Sequence, residues 1–292
     1  MDKPVLRLGF TDYFENLDEF FVEWLSERYE IVRDDTNPDF LIFCDETFGQ
    51  NNKTYDPTKV VKIFYTGENR RAWNYQCEVA ITFDHYDQDN HYRLPLYVID
   101  KWVMNRKLGM FFPSPRTPKT MAEKTGFCCF ISGNPANQHR NDFFHKLSKY
   151  KKVDSYGPLF NNMGPLPRGP DAAAQKMSVL PKYKFNLCFE NGDHPGYCTE
   201  KLMHALWMGT VPIYCGSSTA GLDFHSPSFL SWHGYLDDDK LLEMIVAVDE
   251  NEEIYEAIFM NGNKAHKNNN VYADKNRFLN WFDKNVYPRK KQ

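Results

Sequence analysis

The residues best equipped for chemistry lie in one segment, Tyr183–Ser217 (YKFNLCFENGDHPGYCTEKLMHALWMGTVPIYCGS). An apolar run of buried-strand type, Tyr183–Phe189, gives way to a polar loop, Glu190–Tyr197, that contains Gly192, Pro195 and Gly196. A helix over Thr199–Met208 and a second strand over Val211–Cys215 are predicted to follow. Thr199 is the expected helix N-cap, which puts Glu200 and Lys201 in the first turn. A helix N-terminus draws anions through its free N–H groups and partial positive charge. Lys201 would add a full charge for a phosphate, and Glu200 could accept hydrogen bonds from sugar or ribose hydroxyls. The same three residues also make an ordinary capped helix with a solvated lysine. Residue types alone leave both readings open.

The elements around this segment follow the pattern of an α/β protein, short apolar runs alternating with longer amphipathic ones. Strands are predicted at Val5–Phe10, Phe40–Cys44, Val60–Tyr65 and Val79–Phe83, with a helix over Glu15–Tyr29 whose Leu17, Phe20, Phe21, Trp24 and Leu25 recur at helical spacing. Residues 107–124, with FFPSPRTPKT at their centre, read as an extended inter-domain linker because proline fixes φ and removes a donor. A second unit then begins with a strand at Gly126–Ser132 and a helix from Gln138 to Tyr150. Asn161–Pro170 reads as a loop, Leu241–Phe259 as one surface helix, and the basic tail Pro288–Lys291 as solvated. The expected division is one α/β domain over 1–120 and another over 121–292, the last helix packing back on the first domain. Open α/β sheets bind ligands at the carboxyl ends of their strands, so two such units joined by a linker predict a cleft suited to group transfer.

Composition narrows the function classes. The formal net charge is −4, which argues against binding nucleic acid along a basic face. Hydrophobic residues make up 42% and charged residues 25%, an ordinary globular mixture. The 16% of aromatic residues suits a large core as well as a sugar-stacking surface. Seven cysteines, an odd number, form no CxxC and no zinc spacing, and Cys128, Cys129, Cys188 and Cys215 lie within strand-like runs, which reads as reduced, buried thiols in a cytosolic protein. No stretch approaches the ~18 apolar residues of a transmembrane helix. Soluble and cytoplasmic, in peripheral contact with the inner membrane face at most, is the expected setting.

The Tyr183–Ser217 segment resembles the family-10 glycosyltransferases, the α-1,3/1,4-fucosyltransferases, and above all their soluble bacterial members. YKFNLCFEN at Tyr183–Asn191, YCTEK at Tyr197–Lys201 and VPIYCG at Val211–Gly216 match the family's signature in order. Upstream, IFYTGEN (Ile63–Asn69), FDHYDQDNHYRLPLY (Phe83–Tyr97), FISGNPANQHR (Phe130–Arg140) and YKKVDSYG (Tyr150–Gly157) are similar to further family elements. The likeness runs from about Ile63 to Gly221. The heptad repeats and amphipathic tail of some bacterial members are not in this sequence.

That resemblance implies a GT-B architecture, two facing Rossmann-like domains, and an inverting transfer of L-fucose from GDP-β-L-fucose. The acceptor it implies is O3 of GlcNAc in a Galβ1-4GlcNAc-type glycan, giving Lewis x-like products. An α-1,4 or dual-specificity enzyme shares the same donor residues. By resemblance, Glu68 is the base, Arg140 and Lys201 hold the diphosphate, Glu200 contacts the donor sugar and stabilises charge on it, and Asn191 and Tyr197 belong to the donor site. No cofactor or metal is then required, Mn2+ or Mg2+ acting at most as stimulants. His194 has no family counterpart, Arg70 and Arg71 are either acceptor contacts or solvated, and Asp12, Tyr13 and Trp24 are guesses at acceptor contacts, Trp24 fitting the core better. Two rivals stand beside this reading. Asp87-Gln88-Asp89 is formally a metal-chelating DxD, and a carbohydrate- or nucleotide-binding module without turnover would also suit the aromatic content.

Overall fold

The computed structural model describes residues 3–110, 116–164, 166, 172–264 and 271–291. In chain order the main elements are β1 (Val5–Thr11), α1 (Leu17–Leu25), β2 (Glu30–Arg33), β3 (Phe40–Phe43), β4 (Val61–Tyr65), β5 (Val79–Thr82), β6 (His91–Arg93) and α2 (Leu96–Leu108). They continue with α3 (Pro118–Ala122), β7 (Gly126–Phe130), α4 (Gln138–Tyr150), β8 (Val153–Ser155), α5 (Ala172–Val179), β9 (Tyr183–Phe189) and α6 (Glu200–Trp207). The last are β10 (Val211–Cys215), β11 (Leu230–Ser231), α7 (Asp238–Glu250), α8 (Glu252–Asn261) and α9 (Lys275–Asn285). The chain divides into two compact units, Met1–Lys107 with Asn270–Gln292, and Leu108–Asn269.

The first unit is a six-stranded sheet in the order β2-β1-β3-β4-β5-β6, parallel throughout. Its central strands β3 and β4 are buried along their whole length and apolar except for Lys62, as expected of parallel strands covered on both faces. Helix α1 buries Leu17, Phe20, Phe21, Trp24 and Leu25. It ends at Leu25, four residues before the periodicity predicts, because the chain must turn to enter β2. Helix α9 belongs to this unit: Phe278 meets the rings of Phe21 and Trp24 at 5.9 and 5.5 Å, and Asp283 pairs with Arg28. Pro288, Arg289 and Lys290 of the basic tail are exposed, with Lys290 2.8 Å from Asp39 and Lys291 3.3 Å from Glu78.

The second unit has a five-stranded parallel sheet in the order β11-β10-β9-β7-β8. Side chains alternate along its strands. Phe185, Leu187 and Phe189 of β9 share one core with Phe143, Phe144 and Leu147 of α4, Leu241, Ile245 and Val248 of α7, and Tyr255 and Phe259 of α8. The intervening residue Cys188 reaches the α6 side instead, its thiol 3.5 Å from the Lys201 carbonyl. The region read as one helix over Leu241–Phe259 is two, because Asn251 is extended and turns its Oδ1 to accept the Ile254 N–H at 3.1 Å. Part of the predicted linker, 111–115, and most of the Gly/Pro end of the Asn161–Pro170 loop lie outside the described residues. Just past the former, Thr117 caps α3 through a reciprocal capping box with Thr120. All seven cysteines are free, six of them buried.

Counted from the first strand of each unit, both sheets run 2-1-3-4-5, the second in the opposite listing direction, with β6 added to the first. In this order the connections leave opposite faces of the sheet at the junction of strands 1 and 3. A crevice opens there at the carboxyl ends. In the second unit that junction lies between β7 and β9 and in the first between β1 and β3.

Candidate functional site

The crevice between β7 and β9 is built around a buried arginine. Asn137 caps α4, its Oδ1 accepting the Arg140 N–H at 3.0 Å, and its Nδ2 donates to the Glu190 carbonyl at 2.8 Å. The loop after β7 and the loop after β9 are thereby pinned together. Arg140 is 0% exposed. One terminal nitrogen donates to Asn191 Oδ1 at 2.9 Å and to the Phe189 carbonyl at 3.5 Å, and the other to the Asn134 carbonyl. Its Nε is buried with no hydrogen-bond partner. Burial pushes the guanidinium down in basicity while Glu190 and Tyr197 act against that shift. A buried cation with an unmet donor is costly unless an anion completes it.

Across the same crevice stands a residue that the sequence did not single out. Glu190 is 0% exposed and accepts from the Thr199 N–H at 2.8 Å, the Thr199 hydroxyl at 2.6 Å and Lys201 Nζ at 3.0 Å. The expected Thr199 cap is therefore corrected. Thr199 occupies the N-cap position, but its side chain makes no capping bond, and its hydroxyl goes to Glu190. Lys201 also donates to the Thr199 hydroxyl at 2.9 Å, so its ammonium is held at the mouth of α6. Burial raises the Glu190 carboxyl, with Lys201 and the Thr199 hydrogen bonds opposing. A carboxylate placed directly after a buried strand, nine residues before a TEK turn, was the one available signal.

Glu200, the first residue of α6, lies 3.7 Å from Lys176 and 3.8 Å from Lys201, with 24% of its side chain exposed. Burial alone would raise its carboxyl, but Lys201, Lys176 and His204 hold it below the ordinary range, so it is ionised. Tyr197 is fully buried, its carbonyl accepting from Tyr214 Oη at 3.4 Å. The preceding Gly196, at φ +86°, gives its N–H to the hydroxyls of Ser217 and Thr219 at 2.8 and 2.9 Å. Gly216 is needed for contact: a Cβ there would stand 2.4 Å from Glu190 Cγ. Arg140, Asn191, Tyr197, Glu200 and Lys201 are thus gathered by the Phe189–Asn191 turn and the start of α6.

Glu68 stands in the first unit, directly past the carboxyl end of β4. A Cβ on Gly67 would be 2.7 Å from Leu96, so only glycine lets the turn lie against the start of α2. Glu68 is exposed and borders a cavity of about 220 Å³ shared with Phe14, Cys44, Asp45, Phe48 and Thr66. Arg70 approaches Glu46 at 3.8 Å, and Arg71 donates to Asn69 and lies over the Phe83 ring. Asp12 is a structural brace: its carboxylate accepts four hydrogen bonds of 2.7–3.0 Å from Asn51 and Asn52. Tyr13 donates to Asp18, and Trp24 is core at 7% exposure. Asp87 and Asp89 lie on the exposed connection between β5 and β6. Among the described residues no three His, Cys, Asp or Glu side chains converge as a metal site, and no helix is long and apolar enough to cross a membrane.

Comparison with known proteins places these features in context. The family model for glycosyltransferase family 10 (fucosyltransferase), C-terminal part, matches residues 121–282, and that for the alpha-(1,3)-fucosyltransferase FucT N-terminal domain matches residues 6–100. The chain is 30% identical over 272 residues to alpha-(1,3)-fucosyltransferase FucT of Helicobacter pylori, covering 83% of this chain and 55% of that protein. It is 32% identical over 214 residues to GDP-fucose protein O-fucosyltransferase 3 of Gallus gallus (67% and 43%). It is 29% identical over 142 residues to human 4-galactosyl-N-acetylglucosaminide 3-alpha-L-fucosyltransferase 9 (47% and 37%). The chain spans about half the length, or less, of these curated relatives. Among solved structures, a crystal structure of an alpha1,3-fucosyltransferase superposes with a TM-score of 0.77 at 25% identity over 96% of this chain and 90% of that one. A crystal structure titled as alpha1,3-fucosyltransferase with GDP-fucose shares the fold at a TM-score of 0.74 and 23% identity.

Proposed function

Since the chain belongs to glycosyltransferase family 10, we propose that it transfers L-fucose from GDP-β-L-fucose to O3 of GlcNAc in Galβ1-4GlcNAc-type glycans, with inversion, giving Lewis x-like products in a cytoplasmic setting. The observation that carries the reading is the buried Arg140 with its unmet Nε, pinned in one crevice with the Lys201 ammonium. Such a pair is suited to a diphosphate: the guanidinium fork takes two oxygens and the ammonium acts as a point charge. The names of the relatives, alpha-(1,3)-fucosyltransferase and 4-galactosyl-N-acetylglucosaminide 3-alpha-L-fucosyltransferase, support the linkage and the acceptor.

In this reaction the acceptor O3 attacks C1 of the fucosyl group as the bond from C1 to the phosphate oxygen breaks. The O3 proton passes to the Glu68 carboxylate, and GDP departs with its new charge against Arg140 and Lys201. Glu200, kept ionised by two lysines, accepts from fucosyl hydroxyls and stabilises positive charge developing on the ring. Asn191 and Tyr197 complete the donor site. A second reading, transfer to a hydroxyl of a protein, is favoured by the likeness to the protein O-fucosyltransferase.

The test is release of GDP from GDP-fucose, with EDTA present, plus and minus N-acetyllactosamine or lactose. Acceptor-dependent release with an α-1,3 product by NMR is the expected result. Release only with a protein acceptor supports the second reading, and tight GDP binding without release under any condition leaves a binding module. Glu68→Ala should lower kcat on the order of 10²–10⁴-fold with GDP affinity nearly unchanged. Wild-type turnover in that variant removes Glu68 from the base role.

A further inference from the structure

The first unit holds a second and larger cavity, about 430 Å³, that none of the residues discussed so far explains. It opens beside the carboxyl-terminal extension of β4, five residues past Glu68, where a single turn of 3-10 helix (Ala72–Asn74) raises Trp73. That indole keeps 68% of its surface exposed and Tyr86 keeps 37%, although both line the cavity. Their rings stand 6.3 Å apart at 49°, an open V. Leaving this much apolar area in water is unfavourable, and an exposed aromatic pair lining a concavity is the kind of surface that marks a ligand site.

The walls are fixed in advance. Tyr75 stacks on Phe64 with ring centroids 4.0 Å apart, and its hydroxyl donates to Glu46 at 2.6 Å. His91 sits edge-on to Tyr86 and is 2.9 Å from the Thr82 hydroxyl. Burial pushes its imidazole down to about 4, so it is neutral. Gln88 and Asn90 also line the cavity. Each of their amides offers both a donor and an acceptor, and the lining contains no charged side chain. The acids of the Asp87-Gln88-Asp89 run are not among the lining residues; the amide between them is.

We propose that this cavity is a subsite for one uncharged pyranose of the acceptor glycan, the sugar on the reducing side of the Galβ1-4GlcNAc unit that receives fucose. A pyranose has an apolar face of C–H groups, which lies on the Trp73 indole, and a rim of hydroxyls, which the Gln88 and Asn90 amides read. Tyr86 closes the other side of the V. The volume falls in the range of small-molecule sites, roughly 300–1,000 Å³, and neutral walls select against sialylated or phosphorylated sugars. The inference rests on the glycan-acceptor reading and adds to it a preference for longer, neutral acceptors.

The experiment compares the wild-type chain with Trp73→Ala and Trp73→Phe on N-acetyllactosamine and on a neutral neolacto-series tetrasaccharide, which ends in Galβ1-4GlcNAc. KM for the tetrasaccharide should rise about tenfold in Trp73→Ala, equivalent to ~1.4 kcal/mol. It should recover largely in Trp73→Phe, while kcat and GDP affinity stay at wild-type values. Equal KM in wild type and Trp73→Ala overturns the subsite. If the wild type transfers to no glycan, the proposed function fails independently, and calorimetric titration with the same tetrasaccharide decides the subsite. Binding that is lost in Trp73→Ala upholds it, and no binding to the wild type overturns it. Unchanged GDP affinity and melting temperature in the variants show that the fold is kept.

Discussion

Three of the groups that shape the crevice converge on the Glu190 carboxylate. It takes the N–H and hydroxyl of Thr199 and the ammonium of Lys201 at 2.6–3.0 Å. Replacing it by alanine leaves buried donors unsatisfied, each costing about 1–3 kcal/mol. Glu190→Gln keeps an acceptor for Thr199 but loses the ion pair. We expect Glu190→Gln to fold and to weaken GDP binding about tenfold by calorimetry, with Glu190→Ala weaker still; GDP affinity unchanged in both would detach Glu190 from Lys201 positioning. The pH dependence has a definite sign. Burial raises this carboxyl above its ordinary value of 4.5, so the folded protein holds the proton to higher pH than the unfolded chain. Wild-type stability therefore falls, relative to Glu190→Gln, as pH rises through that titration. The role was illegible in the sequence because it depends on a carboxylate turning to meet groups nine and eleven residues away across a loop. By contrast, the resemblance to the family's motifs is what singles out Arg140, Asn191, Glu200 and Lys201 as donor-site expectations.

At the scale of elements, the long apolar strands were legible and the short ones were not. Tyr183–Phe189, Val211–Cys215 and the helix Gln138–Tyr150 fall where the periodicity puts them. Four strands escaped it: Glu30–Arg33, His91–Arg93, Val153–Ser155 and Leu230–Ser231 have two to four residues each and polar members. Pairing to a longer neighbour, rather than their own pattern, makes them strands. The Asn251 break shows a cap overriding a continuous apolar stripe. The turn after β10 supplies a prediction at this scale. Gly216→Ala forces a methyl to within 2.4 Å of Glu190 Cγ and 2.8 Å of Tyr214 Oη. Overpacking of this kind costs roughly 1–3 kcal/mol. The melting temperature should drop and GDP affinity should fall with it. A Gly216→Ala protein with wild-type values in both would mean that the turn can yield without disturbing Glu190.

For the molecule as a whole, the two sheets share one strand order and place their openings at the same topological junction. Stability, however, is divided between two cores, so unfolding need not be a single transition. Phe278, fully buried against Phe21 and Trp24, is the clearest probe of the first core. Phe278→Ala should cost about 3–5 kcal/mol. By amide hydrogen exchange, the loss of protection should be confined to β1–β6 and α1, with GDP affinity retained. A uniform loss over both units would mean that they unfold as one.

The position of α9 also fixes a timetable. The first unit is interrupted after Lys107 and resumes only at Asn270, so a ribosome must add all of the second unit before Phe278 and Phe282 emerge. At about 5–20 residues per second, the rings of Phe21 and Trp24 wait on the order of ten to fifty seconds for their final neighbours. By the end of that interval the residues of the second core have all been added while the first core is still open. A holding chaperone would find its substrate at the beginning of this protein, not at its end.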